Sequence, residues 1–152
     1  MRLWLVAVGR LRPGPLRAVT DEYVGRSSWP LTVREVEARK KLIGPALRDH
    51  EGDLLLAAVP DRATLVALDE RGRDLKSREL ADRMGRWRDD GVQDMAFAIG
   101  GADGLSQAVR DRADLLLAFG RATWPHMLVR PMLAEQIYRA QSILSGHPYH
   151  RS

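Results

Sequence analysis

The chain has 152 residues, with 24 Lys plus Arg against 20 Asp plus Glu (net +4), 45% hydrophobic residues and no cysteine. That fits one globular domain over residues 1–152. It excludes a disulfide framework, thiol chemistry and any Cys-ligated zinc or iron–sulfur centre, in keeping with a reducing, cytoplasmic location. No stretch approaches the roughly 20 apolar residues of a membrane helix, and the opening apolar run is too short for a secretory signal and lacks a small-residue cleavage site.

In chain order, Leu3–Val8 reads as a strand, Pro15–Arg26 as a helix with Leu16, Val19, Tyr23 and Val24 on one face, and Leu31–Val36 as a strand of alternating pattern. Lys41–Val59 reads as a helix loosened at its start by Gly44-Pro45. Ala63–Leu68 is an apolar strand, and the polar run Asp69-Glu70-Arg71-Gly72 behind it predicts a turn. Ser77–Asp90 follows as a helix, with Ser77 as its N-cap, Glu79 in the first turn, and Leu80, Ala81, Met84 and Trp87 at helical spacing. Met95–Ile99 is a buried strand that runs into Gly100-Gly101-Ala102-Asp103-Gly104. A short helix at Ser106–Asp111 and a strand at Leu115–Phe119 come next, and the last long helix runs from about Pro131 to Leu144, with Pro131 either in its first turn or kinking it.

Strands alternating with helices imply an α/β fold, a mostly parallel sheet flanked by helices, with right-handed crossovers and ligands gathered at the carboxyl ends of the strands. That rule brings the loops after Leu68, Ile99 and Phe119 to one edge. Charge is unevenly spread: residues 1–41 carry nine basic and four acidic residues (+5), 42–120 eleven and fifteen (−4), and 121–152 four and one (+3). Basic ends around an acidic middle suit a polyanion such as nucleic acid, with Arg39-Lys40-Lys41 the densest cluster. Because Arg outnumbers Lys 21 to 3, the solvated face of an arginine-rich protein gives the same pattern.

The glycine loop is neither a dinucleotide fingerprint nor a P-loop, since its spacing is GGxxG and no Gly-Lys-Ser/Thr follows. Asp103 opposes a phosphate there, so an uncharged or cationic ligand held by backbone groups fits better than an anion; a tight turn starting a helix is the plainer alternative. After Phe119, Arg121-Ala122-Thr123-Trp124-Pro125-His126 sets a large aromatic and a histidine in a loop stiffened by proline, suited to wall a pocket for a flat heterocycle. The tail His147-Pro148-Tyr149-His150-Arg151 is dense in proton-exchanging and anion-binding groups. It makes a poor metal site, with two histidines and no nearby acidic ligand, so no metal is expected. As the working end of an RNA enzyme it is better equipped, with Tyr149 able to stack and Arg151 able to bind phosphate; otherwise it is a frayed polar terminus.

Taken together, Leu3–Gly9, Ile99–Ser106, Thr123–Arg130, Ala134–Ala140 and the terminal His147-Pro148-Tyr149-His150 resemble the RlmH family across essentially the whole chain. These are small SPOUT-class methyltransferases acting on N3 of a pseudouridine in 23S ribosomal RNA. The resemblance implies a SPOUT-type sheet with a C-terminal trefoil knot, a homodimer, and S-adenosylmethionine as methyl donor. It implies a cofactor pocket from Leu68, Gly101 and Arg121, Ala122, Thr123, Trp124, Pro125 and His126, and a substrate side from His147, Tyr149, His150 and Arg151, supplied by the partner subunit. A small domain of modest charge is poorly equipped to grip RNA alone, so the assembled ribosome is the expected substrate. A non-catalytic ribosome-binding factor and a nucleotide-binding regulator are the rival readings.

Overall fold

Alternation along the central strands decides which side of the sheet each residue faces. In the computed structural model, which describes residues 1–151, strand β1 (Arg2–Val8) sends Leu3, Leu5 and Ala7 into one core and Val6 and Val8 into the other. Strand β4 (Asp94–Ile99) divides in the same way, with bulky Met95, Phe97 and Ile99 on the first face and small Ala96 and Ala98 on the second. Both strands are buried on both faces, which a helix-covered parallel sheet requires.

The other elements are α1 (Pro15–Arg26), β2 (Leu31–Val36), α2 (Gly44–Ala58), β3 (Thr64–Asp74), α3 (Ser77–Asp89), α4 (Gln107–Arg112), β5 (Leu115–Ala118) and α5 (His126–Ser145). The five strands pair in parallel in the order β2-β1-β4-β3-β5. Helix α5 packs on the first face between α1 and α3, burying Val129, Leu133, Ile137 and Ala140, while α2 and α4 cover the second. The expected α/β architecture, a parallel sheet flanked by helices, is therefore what the chain adopts.

Beyond shifts of a single residue, four features differ from the sequence reading, each for a physical reason. Helix α2 starts at Gly44 rather than Lys41, because Gly44 takes φ +58 and breaks the helical path before it. Strand β3 does not end in a turn: it continues to Asp74, and the register against β5 jumps so that Leu68 and Arg73 both face Leu117 while Asp69–Gly72 bulge out between them. Gly72 is essential to that bulge, since a Cβ there would lie 2.7 Å from the Leu116 backbone. Helix α3 is capped by Lys76, whose N–H donates to Glu79 Oε2 (2.6 Å), while the Ser77 hydroxyl bonds Gln136 on α5 (2.8 Å). Helix α5 begins at His126, capped by Pro125, and carries Pro131 inside it rather than at its start.

Candidate functional site

A cleft of about 470 Å³ opens between the bulge of β3 and the carboxyl ends of β4 and β5. Its walls come from the expected loops after Ile99 and Phe119 and, in place of a loop after Leu68, from the β3 bulge; Leu68, Gly101, Ala122, Thr123, Trp124 and His126 all line it. Arg121 and Pro125 do not: both are exposed, and Pro125 instead starts α5, its carbonyl accepting from the N–H groups of Leu128 and Val129. Side chains that the sequence reading did not single out complete the lining, among them Asp69, Glu70, Arg71, Arg110 and Val129.

Each loop is fixed by contacts within the chain. The glycine segment closes on itself, Gly104 N–H donating to the Gly101 carbonyl (3.0 Å) with Gly104 at φ +80, and leads to Ser106, whose hydroxyl accepts from Val109 N–H at the start of α4. The missing Cβ of Gly101 makes room for Glu51: a methyl there would lie 3.0 Å from both carboxyl oxygens. Across the cleft, the Trp124 indole N–H donates to the Phe119 carbonyl (2.8 Å), and the Thr123 hydroxyl donates to Glu70 on the β3 bulge (2.8 Å). The bulge is thus a wall of the cleft.

Electrostatics divides these groups. Burial raises the pKa of Asp69, but the Arg71 backbone N–H and the bonds and charge of Arg110 outweigh it, so the carboxyl is held below its usual value and stays ionised. His126 is shifted down, by burial first and then by the charge of Arg130, and its imidazole is neutral at pH 7. Arg130 is itself buried (1% exposed), pairing with Glu35 on β2 and donating to the carbonyls of Val8 and Gly9 at the end of β1. It ties the first turns of α5, and with them His126, to the two strands on the far side of the cleft.

The tail lies elsewhere in the same chain. Tyr149 stacks edge-on against Tyr138 (4.7 Å between ring centroids) and donates its hydroxyl to Glu135 (3.0 Å), while Tyr23 shares a further hydroxyl bond with it. Arg139 bonds Nδ1 of His150, and the Tyr149 backbone N–H donates to His147 Nδ1. None of His147, Tyr149, His150 and Arg151 lines the cleft. Glu135 lies nine positions after His126 along α5, about 13 Å of helix. One chain therefore keeps the two groups apart. Among the described residues no cluster of three or more metal-ligating side chains occurs, and no helix is long and apolar enough to cross a membrane.

The family model described as Predicted SPOUT methyltransferase matches residues 1–150. The chain is 68% identical over 152 residues to the ribosomal RNA large subunit methyltransferase H of Rhodospirillum centenum, covering 100% of both chains. It is 57% identical over 151 residues to the protein of the same name from Paramagnetospirillum magneticum, covering 99% of each. Among solved structures, a probable methylase family protein from Haemophilus influenzae Rd KW20 superposes with a TM-score of 0.57 at 10% identity, over 99% of this chain and 70% of that one, a likeness of fold. With the family model and full-length relatives in agreement, the chain belongs to the SPOUT methyltransferase family, in the branch of the ribosomal RNA large subunit methyltransferases H.

Proposed function

We propose that this protein transfers a methyl group from S-adenosylmethionine to N3 of a pseudouridine in 23S ribosomal RNA, acting in the cytoplasm as a homodimer on the assembled ribosome. The observation that carries the reading is the cleft at the strand ends, built from the loops of a methyltransferase family whose members at 68% and 57% identity bear that ribosomal RNA name. Its volume of about 470 Å³ falls in the range that holds a ligand of nucleoside size. Its charged lining is acidic by one: Asp69, Glu70 and Asp103 against Arg71 and Arg110. That balance suits a sulfonium cation and disfavours a nucleotide phosphate.

When bound, S-adenosylmethionine supplies an electrophilic methyl carbon on a positively charged sulfur. Leu68, Gly101 and the segment Arg121, Ala122, Thr123, Trp124, Pro125 and His126 are the residues we assign to holding it, with Arg121 and Pro125 acting from outside the lining. Neutral His126 can bond the ligand without repelling its charge. Transfer would require the imide nitrogen to give its proton to water or a tail histidine and to be held in line with the methyl carbon, which the donor would release with its bonding pair left on sulfur. His147, Tyr149, His150 and Arg151 are assigned to the substrate side, from the partner subunit. The Tyr149 hydroxyl is pushed well above its usual pKa by burial first and then by its bonds to Tyr23 and Glu135, so it stays protonated at neutral pH and does not take the imide proton. One domain carries this whole apparatus, and a trefoil knot through which α5 is threaded is part of the proposal.

Exposed Arg39, Lys40 and Lys41 follow β2 at the same edge of the sheet as the cleft, giving ribosomal RNA a cationic shoulder. With a net charge of only +4, such contacts position a substrate whose shape is already folded. Methyl transfer measured at one salt concentration on assembled particles and on naked transcript tests this: fast transfer on particles and little on transcript is expected, and equal rates would exclude recognition of the assembled particle. Thermal stabilisation by a nucleotide, with none by S-adenosylmethionine, would instead select the regulator reading.

A further inference from the structure

A buried carboxyl lies behind the glycine loop, and one of its oxygens finds no partner among the described residues. Glu51 on α2 is 8% exposed, and its Oε1 has no hydrogen-bond partner. Both of its oxygens sit 3.0 Å from the position a Gly101 Cβ would take, so the carboxyl rests against the backbone of a residue that lines the cleft. An uncompensated buried carboxyl is driven toward its neutral form, and it holds a charge only where something supplies the counter-charge.

The neighbours do not supply it. Burial first, and then the like charge of Asp103, push the Glu51 pKa up, with only His50 pulling the other way. The two arginines of the cleft are engaged elsewhere, since Arg110 and Arg71 both pair with Asp69. The lining is already acidic by one, and Glu51 behind it makes two. Gly101 also lines the cleft, so a cation bound beside it would provide the counter-charge.

We propose that Glu51 is a specificity-determining residue that makes the cleft prefer a sulfonium cation over the neutral thioether left after methyl transfer. The proposal rests on the S-adenosylmethionine reading above. In a buried setting, charges on either side of one glycine backbone attract without the screening that weakens surface pairs. The thioether presents the same adenosyl and amino-acid groups without charge on sulfur, and gains nothing from Glu51. Loss of the methyl therefore loosens the product in the act of forming it.

Titration calorimetry on the full chain, with S-adenosylmethionine and S-adenosylhomocysteine in turn, tests this in wild type and Glu51→Gln. Wild type is expected to bind the sulfonium more tightly, and Glu51→Gln to lose about tenfold of that preference through weaker sulfonium binding alone. A third ligand, an analogue with a protonated amine in place of the sulfonium, keeps the test decisive if the variant fails to fold. Wild type should favour it over the thioether too. An unchanged preference in Glu51→Gln, or wild type binding the thioether as tightly as both cations, overturns the proposal. If none of the three binds wild type, the S-adenosylmethionine reading itself fails, and the role of Glu51 with it.

Discussion

Deleting residues 149–152 is expected to lower methyl transfer by about 10²–10⁴-fold, the scale of a lost proton-handling and orienting group, while leaving S-adenosylmethionine affinity unchanged. The separation follows from the geometry: the cleft is lined at the first turn of α5, whereas Tyr149 is anchored at Glu135 and Tyr138 further along the same helix. A tail that serves the cleft must then come from a second subunit. Mixed dimers put this to a sharper test. A chain without its tail is paired with one whose glycine loop is displaced by Gly101→Val, a position where even a Cβ would crowd the Glu51 carboxyl and Val8. Each is inactive alone, and together they form one intact cleft facing one intact tail. Recovery of activity on mixing supports service across the dimer; full activity of the tail-less chain alone would remove the tail from the mechanism.

Replacing Arg130 with methionine is expected to cost about 3 kcal/mol, because two carbonyls at the end of β1 lose their donor while the aliphatic volume is kept. For a domain of this size that is a fall of about 6–12 °C in Tm. The Glu35 carboxyl, partly open to water, moderates the loss by being rehydrated. Burial raises the Glu35 pKa, but the Leu11 N–H and the bond and charge of Arg130 outweigh it, so the folded value lies below the usual 4.5. A lowered folded pKa contributes stability that is fully present above pH 4.5 and is lost as pH falls through the folded value. The difference between wild type and Arg130→Met should therefore narrow on acidification below about pH 4.5. A gap that is constant with pH would show that the Glu35 pair contributes nothing and that Arg130 acts through its carbonyl bonds and packing. Urea unfolding across that range reads the effect directly.

The sheet was legible because strands buried on both faces read as short apolar runs, and the helices between them repeat at a different period; Leu3–Val8 and Met95–Ile99 needed no tertiary information. What escaped the sequence depends on distant partners. Asp69–Gly72 has the composition of a turn, yet it stays within β3 because Gly72 fits against the Leu116 backbone, Asp69 is held by Arg110 and Glu70 by Thr123. Pro131 marks a helix start by local rules, but Pro125 provides that start five residues earlier and α5 runs through Pro131 regardless. Nothing in the sequence singles out Glu51 among the charged residues of α2; its burial appears only with the glycine loop packed against it. For the same reason Gly101, expected to let backbone approach a ligand, is seen to make room on its other side for a carboxyl.

The central claim, methyl transfer to a uridine-type base of large-subunit RNA, is tested most directly by mass spectrometry of 23S ribosomal RNA fragments. Ribosomes lacking the modification are incubated with this protein and S-adenosylmethionine. The expected result is one methyl replacing one hydrogen at a single pseudouridine, dependent on both protein and methyl donor. An RNA that binds the protein and gains no methyl under those conditions would contradict it.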